Sequence, residues 1–267
     1  WHLEKKTPDA ELSEPVEPIT WWIENTTPER IRPIIREAVL EWNTAFREAG
    51  FKNAIEVKVQ PGTASWDAGD IRYNVLRWTS SPTPPFSGYG PSFVNPHTGQ
   101  ILGADVMLEY AFLTNQVAQN KLFETAGLPL QSAADVPKTL PKHTCTLPGF
   151  LHPNTMFGRA ALETQAPTAD TEQSGPSDLD GELTQLMEEG LHFLALHEVG
   201  HTLGLQHNMK SSQLHSAEAV HDASVTRDEG LVGSVMDYPA VNVAPPDVEQ
   251  GQYYTTRPGP SDCPLYT

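Results

Sequence analysis

Alternating and helically spaced apolar residues divide the N-terminal part of the chain into strands and one helix. Aromatic and β-branched residues at 19–23 predict the first strand. A helix follows, with Thr27 as its N-cap and Pro28 at its first position, because apolar side chains then recur three and four residues apart. Two further strands are predicted at residues 54–59 and 70–76. The order strand, helix, strand, strand implies a right-handed crossover and a mixed sheet.

A β-hairpin is predicted after a loop rich in Pro, Ser and Gly. The apolar stretches 91–94 and 101–108 flank turn-forming residues at 95–99. Pro91 cannot donate a main-chain hydrogen bond within a sheet, so the first strand of the hairpin should lie near a sheet edge.

The second half of the chain predicts an irregular insertion and then a buried helix. The region from residue 111 to about 180 has little strand signal and scattered prolines, so we expect short helices and loops that are mobile at 168–180. Residues 182–203 predict a long helix with apolar side chains on two opposite sides, which implies burial between a sheet and a cleft. His192 lies away from the other histidines of this helix and has no predicted role.

The composition narrows the possible functions. The chain has 267 residues, 38% of them hydrophobic, which is enough for a substantial core. Its formal net charge of −17 argues against nucleic acid and anionic membrane surfaces as partners. No run of eighteen apolar residues predicts a membrane span. The first residue is Trp1, so we interpret the chain as a mature or excised fragment, and we expect a monomer.

Residues 197–207 contain the candidate metal ligands and a candidate general base. His197 and His201 are four residues apart and therefore share one face of a helix, where both can bind one cation. Glu198 lies about 100° further round, where it can flank a metal-bound water as a general base. Gly204 can adopt the positive φ that ends a helix, so that His207 returns to the metal. Three imidazoles leave one zinc position open. The alternative is a helix with ordinary surface or core histidines, but the combined spacing favours zinc.

The extended motif resembles that of the metzincin metallopeptidases. A second segment, residues 233–238, resembles the Met-turn of that clan, in which a methionine lies beneath the zinc ligands. Here that residue is Met236. A methionine by itself is more often a core-packing residue, so the turn supports zinc only together with the first motif.

Beyond these motifs, residues 3–257 resemble a group of bacterial zinc-dependent proteases known as Met-zincin domains. The resemblance implies an α+β, metzincin-like catalytic domain with a twisted mixed five-stranded sheet, an active-site helix and a small irregular C-terminal lobe. It also implies secretion or a place in the bacterial cell envelope. The matching stretches are residues 14–19, 23–28, 45–55, 70–74, 88–93, 197–208 and 234–239.

The same resemblance implies one catalytic domain over residues 1–267. Residues 1–207, including the insertion, would form an upper lobe, and residues 208–267 a lower lobe with the Met-turn. Two departures from the family stand out. The lower lobe turns into a Gly- and Pro-rich end where relatives continue into a helix, and no pro-segment is recognisable.

The predicted function is a zinc-dependent endopeptidase that cleaves proteins or peptides, with one catalytic Zn²⁺ and Glu198 as general base. Tyr238, two residues after the methionine, is expected to approach the metal and to donate a hydrogen bond to the developing oxyanion; the alternative is that its ring only packs beneath the cleft. The rival function is a non-catalytic, zinc-containing peptide-binding module derived from a protease.

An edge segment of the sheet is expected to pair with extended substrate. The alternative is an ordinary strand with a capped edge. The residues of this segment are Gly90, Pro91, Ser92, Phe93 and Val94.

The two cysteines and several acids allow further hypotheses. Cys145 and Cys263 are expected to form a disulfide in an oxidising compartment. Two free thiols, or a thiolate that blocks the zinc, are the alternatives. Calcium is an additional hypothesis for three acids that are otherwise explained as solvated surface residues: Asp67, Asp70 and Asp105.

Overall fold

The computed structural model describes residues 1–79, 88–109, 145–165 and 179–263. In these parts no helix is long and apolar enough to cross a membrane. The regular elements in chain order are β1 (Ile19–Ile23), α1 (Arg32–Glu48), β2 (Ile55–Val59), β3 (Asn74–Thr79), β4 (Gly88–Tyr89), β5 (Ser92–Val94), β6 (Ile101–Glu109), α2 (Leu147–Gln165), α3 (Leu179–Thr202) and α4 (Ala223–Glu229).

A mixed sheet forms one layer of the fold. Five strands follow each other in the order β2, β1, β3, β6, β4, and β5 also pairs with β6. The first four strands are parallel, whereas β4 and β5 run antiparallel to β6. The structure therefore confirms the α+β class with a mostly parallel sheet and the predicted hairpin. Because β4 and β5 pair with successive parts of β6, they form one interrupted edge.

Two helices pack on each other and on this sheet, and the core lies between them. Strand β1 alternates buried and half-buried residues, with the buried set including Trp21. Helix α1 turns its apolar stripe inwards, as its spacing of three and four predicts. At its centre Trp42 is fully buried, and its indole Nε1 donates a 3.0 Å hydrogen bond to the main-chain oxygen of Leu196 in α3. This bond ties α1 to the helix that carries the histidines.

The first helix begins later than predicted. Pro28 has an extended ψ of 133°, and a 3-10 turn at Glu29–Ile31 precedes α1, whose N-cap is Ile31 without a side-chain cap. Pro33 occupies the first turn instead, where its missing N–H costs nothing. Thr27 is buried and accepts from Arg32 Nε through its main-chain oxygen, so the predicted N-cap role of Thr27 is wrong.

Strand β3 also begins later than the alternating pattern suggested. The Asp70 carboxylate accepts from the main-chain N–H of Arg72, and Tyr73 N–H donates to the Asp70 carbonyl at 2.9 Å. These bonds close a turn, so pairing starts at Asn74. An aspartate that binds its own downstream backbone competes with a strand in the way that favours turns.

Helix α2 shows that the prediction of short helices and loops is wrong at residues 147–165. The helix has 19 residues and contains Pro153, which removes one helical hydrogen bond. Buried side chains on one face, including Leu151 and Thr155, pack against the molecule and outweigh that loss. The other parts of the expected insertion, residues 111–144 and 166–178, lie outside the described residues, as does most of the segment expected to be mobile.

The segment that follows the histidines is irregular and packs back onto α3. Tyr253 and Tyr254 are fully buried, and the Tyr254 ring stacks on Phe193 of α3 with an interplanar angle of 5°. The Glu189 carboxylate of α3 accepts from the main-chain N–H of Tyr253 at 2.6 Å. His192 Nε2 lies 2.8 Å from the main-chain oxygen of Thr256, which gives this histidine a structural partner. The irregular segment is therefore held along most of α3.

Candidate metal centre

Three imidazoles converge where α3 ends. His197 and His201 occupy the last two turns of the helix, and Gly204 then adopts a φ of +93° that reverses the chain. The turn brings His207 back, so that its Nε2 lies 3.1 Å from Nε2 of His201. The ring centroid of His197 is 4.8 Å from that of His201 and 5.3 Å from that of His207. The structure thus brings together all three predicted ligands.

Hydrogen bonds to main-chain oxygens fix which nitrogen faces the centre. His197 Nδ1 donates to Val235 at 2.6 Å, and His201 Nδ1 donates to Leu205 at 3.1 Å. Each bond places the ring proton on Nδ1 and leaves a lone pair on Nε2, as in metal-ligating histidines. In the described parts of the chain, the buried Nε2 of His197 has no hydrogen-bond partner.

The spacing and charge of the imidazoles fit zinc. Two nitrogens bound at 2.0–2.1 Å in a tetrahedral site are about 3.3 Å apart, close to the 3.1 Å between His201 and His207. Burial lowers the pKa of His197 well below its usual value, and it lowers the pKa of His201 to about 4. Burial also lowers the pKa of His207. The three rings are therefore neutral at pH 7 and offer lone pairs to a cation.

Glu198 lies beside these ligands without a conventional partner. It is fully buried, neither carboxylate oxygen has a partner in ordinary hydrogen-bond geometry among the described residues, and the polar group that interacts with it is the Cys145 thiol. Burial raises its pKa to about 7, and the nearby Cys145 thiol partly opposes that shift. A buried, unpaired carboxylate costs stability. Its retention next to three ligands points to a chemical role.

Met236 lies beneath the last turns of α3. It is buried, and its main-chain oxygen accepts from Asn208 N–H at 3.0 Å, which ties the turn at residues 233–238 to the chain just after His207. A Cβ at Gly200 would lie 2.5 Å from Met236 Sδ and 2.9 Å from Cζ2 of Trp42. Glycine at this helix position therefore lets both side chains approach the helix backbone.

The Tyr238 hydroxyl reaches the same centre. Its Oη lies 3.1 Å from His207 Nε2, and it accepts a 3.1 Å hydrogen bond from Thr146 N–H. Cys145 Sγ is 3.4 Å from the same oxygen. The ring itself is inclined by 30° to that of Phe150, with centroids 5.8 Å apart. The Tyr238 ring therefore packs near Phe150, and its hydroxyl also approaches the histidines.

Asp262 supports the centre and was not among the predicted residues. Its buried carboxylate accepts from Ser234 Oγ, from Val235 N–H at 2.7 Å and from Gly259 N–H at 2.9 Å. Val235 is the residue whose carbonyl orients His197. In the sequence, Asp262 sits among Gly, Pro and Ser residues, a pattern that indicates only a loop.

The predicted edge segment begins against helix α3. A Cβ at Gly90 would lie 2.6 Å from the main-chain oxygen of Glu198, so glycine permits this close approach to α3. Strand β5 follows at once and, among the described residues, pairs only with β6. Phe93 and Val94 are exposed. The segment thus lies against the helix that carries two of the histidines and has exposed side chains at the sheet edge.

The two cysteines are free thiols, which corrects the expected disulfide. Cys145 lies beside the three histidines, and its Sγ and the imidazole donor atoms all lie within 4.8 Å of one another. Cys263 instead donates to the main-chain oxygen of Gly259 at 3.5 Å. Each sulfur therefore belongs to a different local structure.

The structure gives the calcium hypothesis no support. Asp67 accepts from Gly69 N–H, Asp70 forms an ion pair with Arg72, and Asp105 accepts from Val75 N–H. In the described ranges, the one group of three or more potential metal donors consists of Cys145 and the histidines.

Comparison with known proteins agrees with the geometry. A family model described as Met-zincin matches residues 180–264, which span α3, all three histidines, Met236 and Asp262. No curated protein and no solved structure matches the chain. The motif, the convergent imidazoles and this match, which covers residues 180–264 only, together support a metzincin-type, zinc metallopeptidase-like domain.

Proposed function

We propose that this chain is a zinc-dependent endopeptidase that hydrolyses peptide bonds of proteins. The observation that carries the proposal is Glu198, a fully buried carboxylate adjacent to three convergent imidazoles, which interacts with the Cys145 thiol but has no partner in ordinary hydrogen-bond geometry among the described residues. A site that only held a metal for structural reasons would gain nothing from this costly group.

In this proposal the three histidines bind the metal and Glu198 transfers protons during peptide hydrolysis. His197, His201 and His207 would hold the metal. When bound, zinc supplies a Lewis acid that polarises the scissile carbonyl and lowers the pKa of a water molecule. Glu198 takes the proton of the attacking water and delivers it to the leaving amine. A pKa of about 7 suits both transfers, because a carboxylate with that pKa can accept a proton and release it near neutral pH.

Tyr238 is the donor that best fits the developing oxyanion. Its Oη already lies 3.1 Å from His207 Nε2, so a carbonyl oxygen at the centre would be within reach of its proton. Such a donor is useful because charge appears on the carbonyl oxygen only as the tetrahedral state forms. The hydroxyl therefore favours the transition state over the bound substrate.

Replacement of Glu198 by glutamine tests the proposal. The variant should bind one equivalent of zinc and should not have a lower Tm, because it removes an unpartnered buried charge while keeping the side-chain shape. Its peptidase activity on an unfolded protein should fall by about 10²–10⁴-fold. Glu188→Gln, at an exposed position of the same helix, is the matched control and should keep full activity.

The rival function, a zinc-containing module that only captures peptides, predicts a different result. In that case the zinc-loaded natural sequence would bind unfolded protein without cleaving it, and Glu198→Gln would change nothing. Elemental analysis supplies the check on the metal itself. His201→Ala should lose zinc, and undiminished zinc in that variant would contradict the assignment of the ligands.

A further inference from the structure

The end of α3 accepts a hydrogen bond from a side chain that lies 201 residues away in the sequence. The indole Nε1 of Trp1 donates to the main-chain oxygen of Thr202, the last residue of the helix, at 3.0 Å. Thr202 is fully buried, and its hydroxyl donates to Val199 O at 2.6 Å. The indole therefore binds the main chain at the point where α3 stops and the chain turns towards His207.

The turn after α3 satisfies two of the last carbonyls of the helix, and Trp1 satisfies the next one. The last carbonyls of a helix have no partners within it. Gly204 N–H donates to His201 O at 3.0 Å, and Leu205 N–H donates to Gly200 O at 3.2 Å. With the positive φ of Gly204, these two bonds form a Schellman motif. The following carbonyl is the one that accepts from Trp1, and a buried carbonyl without a partner would cost stability.

The same turn positions two of the three imidazoles. Leu205 O accepts from His201 Nδ1 at 3.1 Å and so orients that ring. His207 follows two residues later, and its Nε2 lies 3.1 Å from Nε2 of His201. A displacement of the turn would therefore rotate the ring of His201 and move His207 at the same time.

The segment around Trp1 holds the indole in place. Trp1 is half-buried and packs against the core, as does Leu3. Glu4 O then accepts from Val16 N–H at 2.8 Å, which ties this segment to the chain just before β1. The indole is therefore anchored to the sheet layer as well as to α3.

We propose that Trp1 is a positioning residue of the metal centre, whose indole N–H fixes the turn after α3 and thereby the ligands His201 and His207. Trp1 acts through this turn and not on the reacting atoms. The proposal rests on the zinc ligands assigned in the proposed function. The alternative is that Trp1 only covers the core with its ring, in which case loss of its N–H would lower stability and leave the ligands unchanged.

Trp1→Phe tests this role because it keeps an aromatic ring and removes the N–H. Zinc affinity, measured by chelator competition, should fall by about tenfold, the low end of the loss when a partner of a metal ligand is removed, because Trp1 acts one bond further out. At saturating zinc the variant should recover its kcat, because the same three imidazoles then hold the metal. Tyr254→Phe is the matched control. It also removes one interior hydrogen bond, to Thr155, and should keep the zinc affinity of the natural sequence.

A second measurement follows the ligand itself and does not depend on activity. In nitrogen-15 NMR of the chain as purified, the His201 Nδ1 proton should exchange with solvent faster in Trp1→Phe than in the natural sequence, because its acceptor, Leu205 O, lies in the loosened turn. The His197 Nδ1 proton should exchange at an unchanged rate, because its acceptor, Val235 O, lies outside that turn.

The outcomes separate this proposal from the proposed function. Unchanged zinc affinity in Trp1→Phe, or unchanged exchange of the His201 proton, overturns the positioning role. An equal loss of zinc affinity in Tyr254→Phe also overturns it, because the effect would then follow from stability alone. If both measurements respond as expected but the natural sequence cleaves no protein, the role of Trp1 stands and the peptidase function falls.

Discussion

At the scale of single residues, the Tyr238 hydroxyl has the clearest testable role. It meets His207, Thr146 and Cys145 at one point, so its contribution can be separated from that of its ring. Tyr238→Phe should lower kcat by about 10²–10³-fold, as expected when one oxyanion donor is removed. Zinc content and Tm should be retained. Steady-state kinetics with a peptide substrate, alongside elemental analysis, measure both.

A second tyrosine supplies the control for this experiment. Tyr254 Oη lies 3.0 Å from Thr155 Oγ1 in the interior, away from the imidazoles. Tyr254→Phe should reduce the free energy of unfolding by about 1 kcal/mol, the typical net value of a hydrogen bond, and should leave kcat unchanged. If Tyr238→Phe instead lost stability and kept its turnover, Tyr238 would be structural.

Sequence reasoning located the histidines because their relationship is local. A spacing of four residues fixes His197 and His201 on one helix face, and Gly204 explains the return of His207. Asp262 was not predicted, and contact of Cys145 with the zinc was only an alternative to the disulfide, because both residues reach the centre only through tertiary folding. Neither residue has a helical spacing relative to the motif, and cysteines in a chain of this composition suggested a disulfide first.

At the scale of elements, the turn at residues 233–238 is stabilised by the segment around Asp262. A carboxylate that accepts two main-chain N–H groups and one hydroxyl in a buried site makes several strong bonds. A Cβ at Gly259 would collide with the main chain of Gly233, so glycine at position 259 allows the main chains of the two segments to touch. The position of Val235, and through it the orientation of His197, depends on this packing.

Asp262→Ala should therefore weaken both the fold and the metal site. Hydrogen bonds to a charged group contribute about 1.5–3 kcal/mol each, so the loss in unfolding free energy should be several kcal/mol. Zinc affinity should fall by about 10–100-fold because the partner of a ligand is displaced. Chelator competition and thermal unfolding measure these effects, with Asp262→Asn as an intermediate variant.

The control for this prediction is an acid that makes no such contacts. Asp247 is exposed in the same irregular segment, and Asp247→Ala should change neither zinc affinity nor Tm. Equal zinc affinity in Asp262→Ala and Asp247→Ala would show that the turn at residues 233–238 holds His197 without help from Asp262.

Elements with strong periodicity were predictable, and those that depend on competing local bonds were not. Strand β1 matches its predicted range, and α3 was predicted within three residues at its start because both of its sides are apolar. The start of β3 was misplaced because side-chain bonds of Asp70 favour a turn. Helix α2 was missed because prolines indicated loops, although burial of one face maintains a helix around Pro153.

At the scale of the whole molecule, α3 joins the sheet to the irregular C-terminal segment. On one side Trp42 and Gly90 bring α1 and the sheet edge against it. Elsewhere along the helix, Tyr253 and Tyr254 bury the C-terminal segment. The metal centre thus lies where three parts of the chain meet, and the sheet edge is the part that could align a substrate.

The pairing of β5 shows which main-chain groups are available at that edge. Asp105 N–H donates to Pro91 O at 3.1 Å, so residue 91 faces β6. Hydrogen-bonded and non-hydrogen-bonded positions alternate in an antiparallel pair. Ser92 is therefore expected to point its N–H and C=O away from β6, towards the side of β5 on which no strand of the described residues pairs.

Ser92→Pro should weaken substrate pairing without disturbing the fold. Proline removes an N–H that the sheet does not use and is tolerated at an edge, so Tm and zinc content should be retained. One lost hydrogen bond of about 0.5–1.5 kcal/mol should lower kcat/KM by up to about tenfold. Ser92→Ala removes the hydroxyl but keeps the N–H, and it should behave like the natural sequence. If both variants cleave an extended peptide equally well, substrate does not pair with Ser92, and the edge has no part in binding at this position.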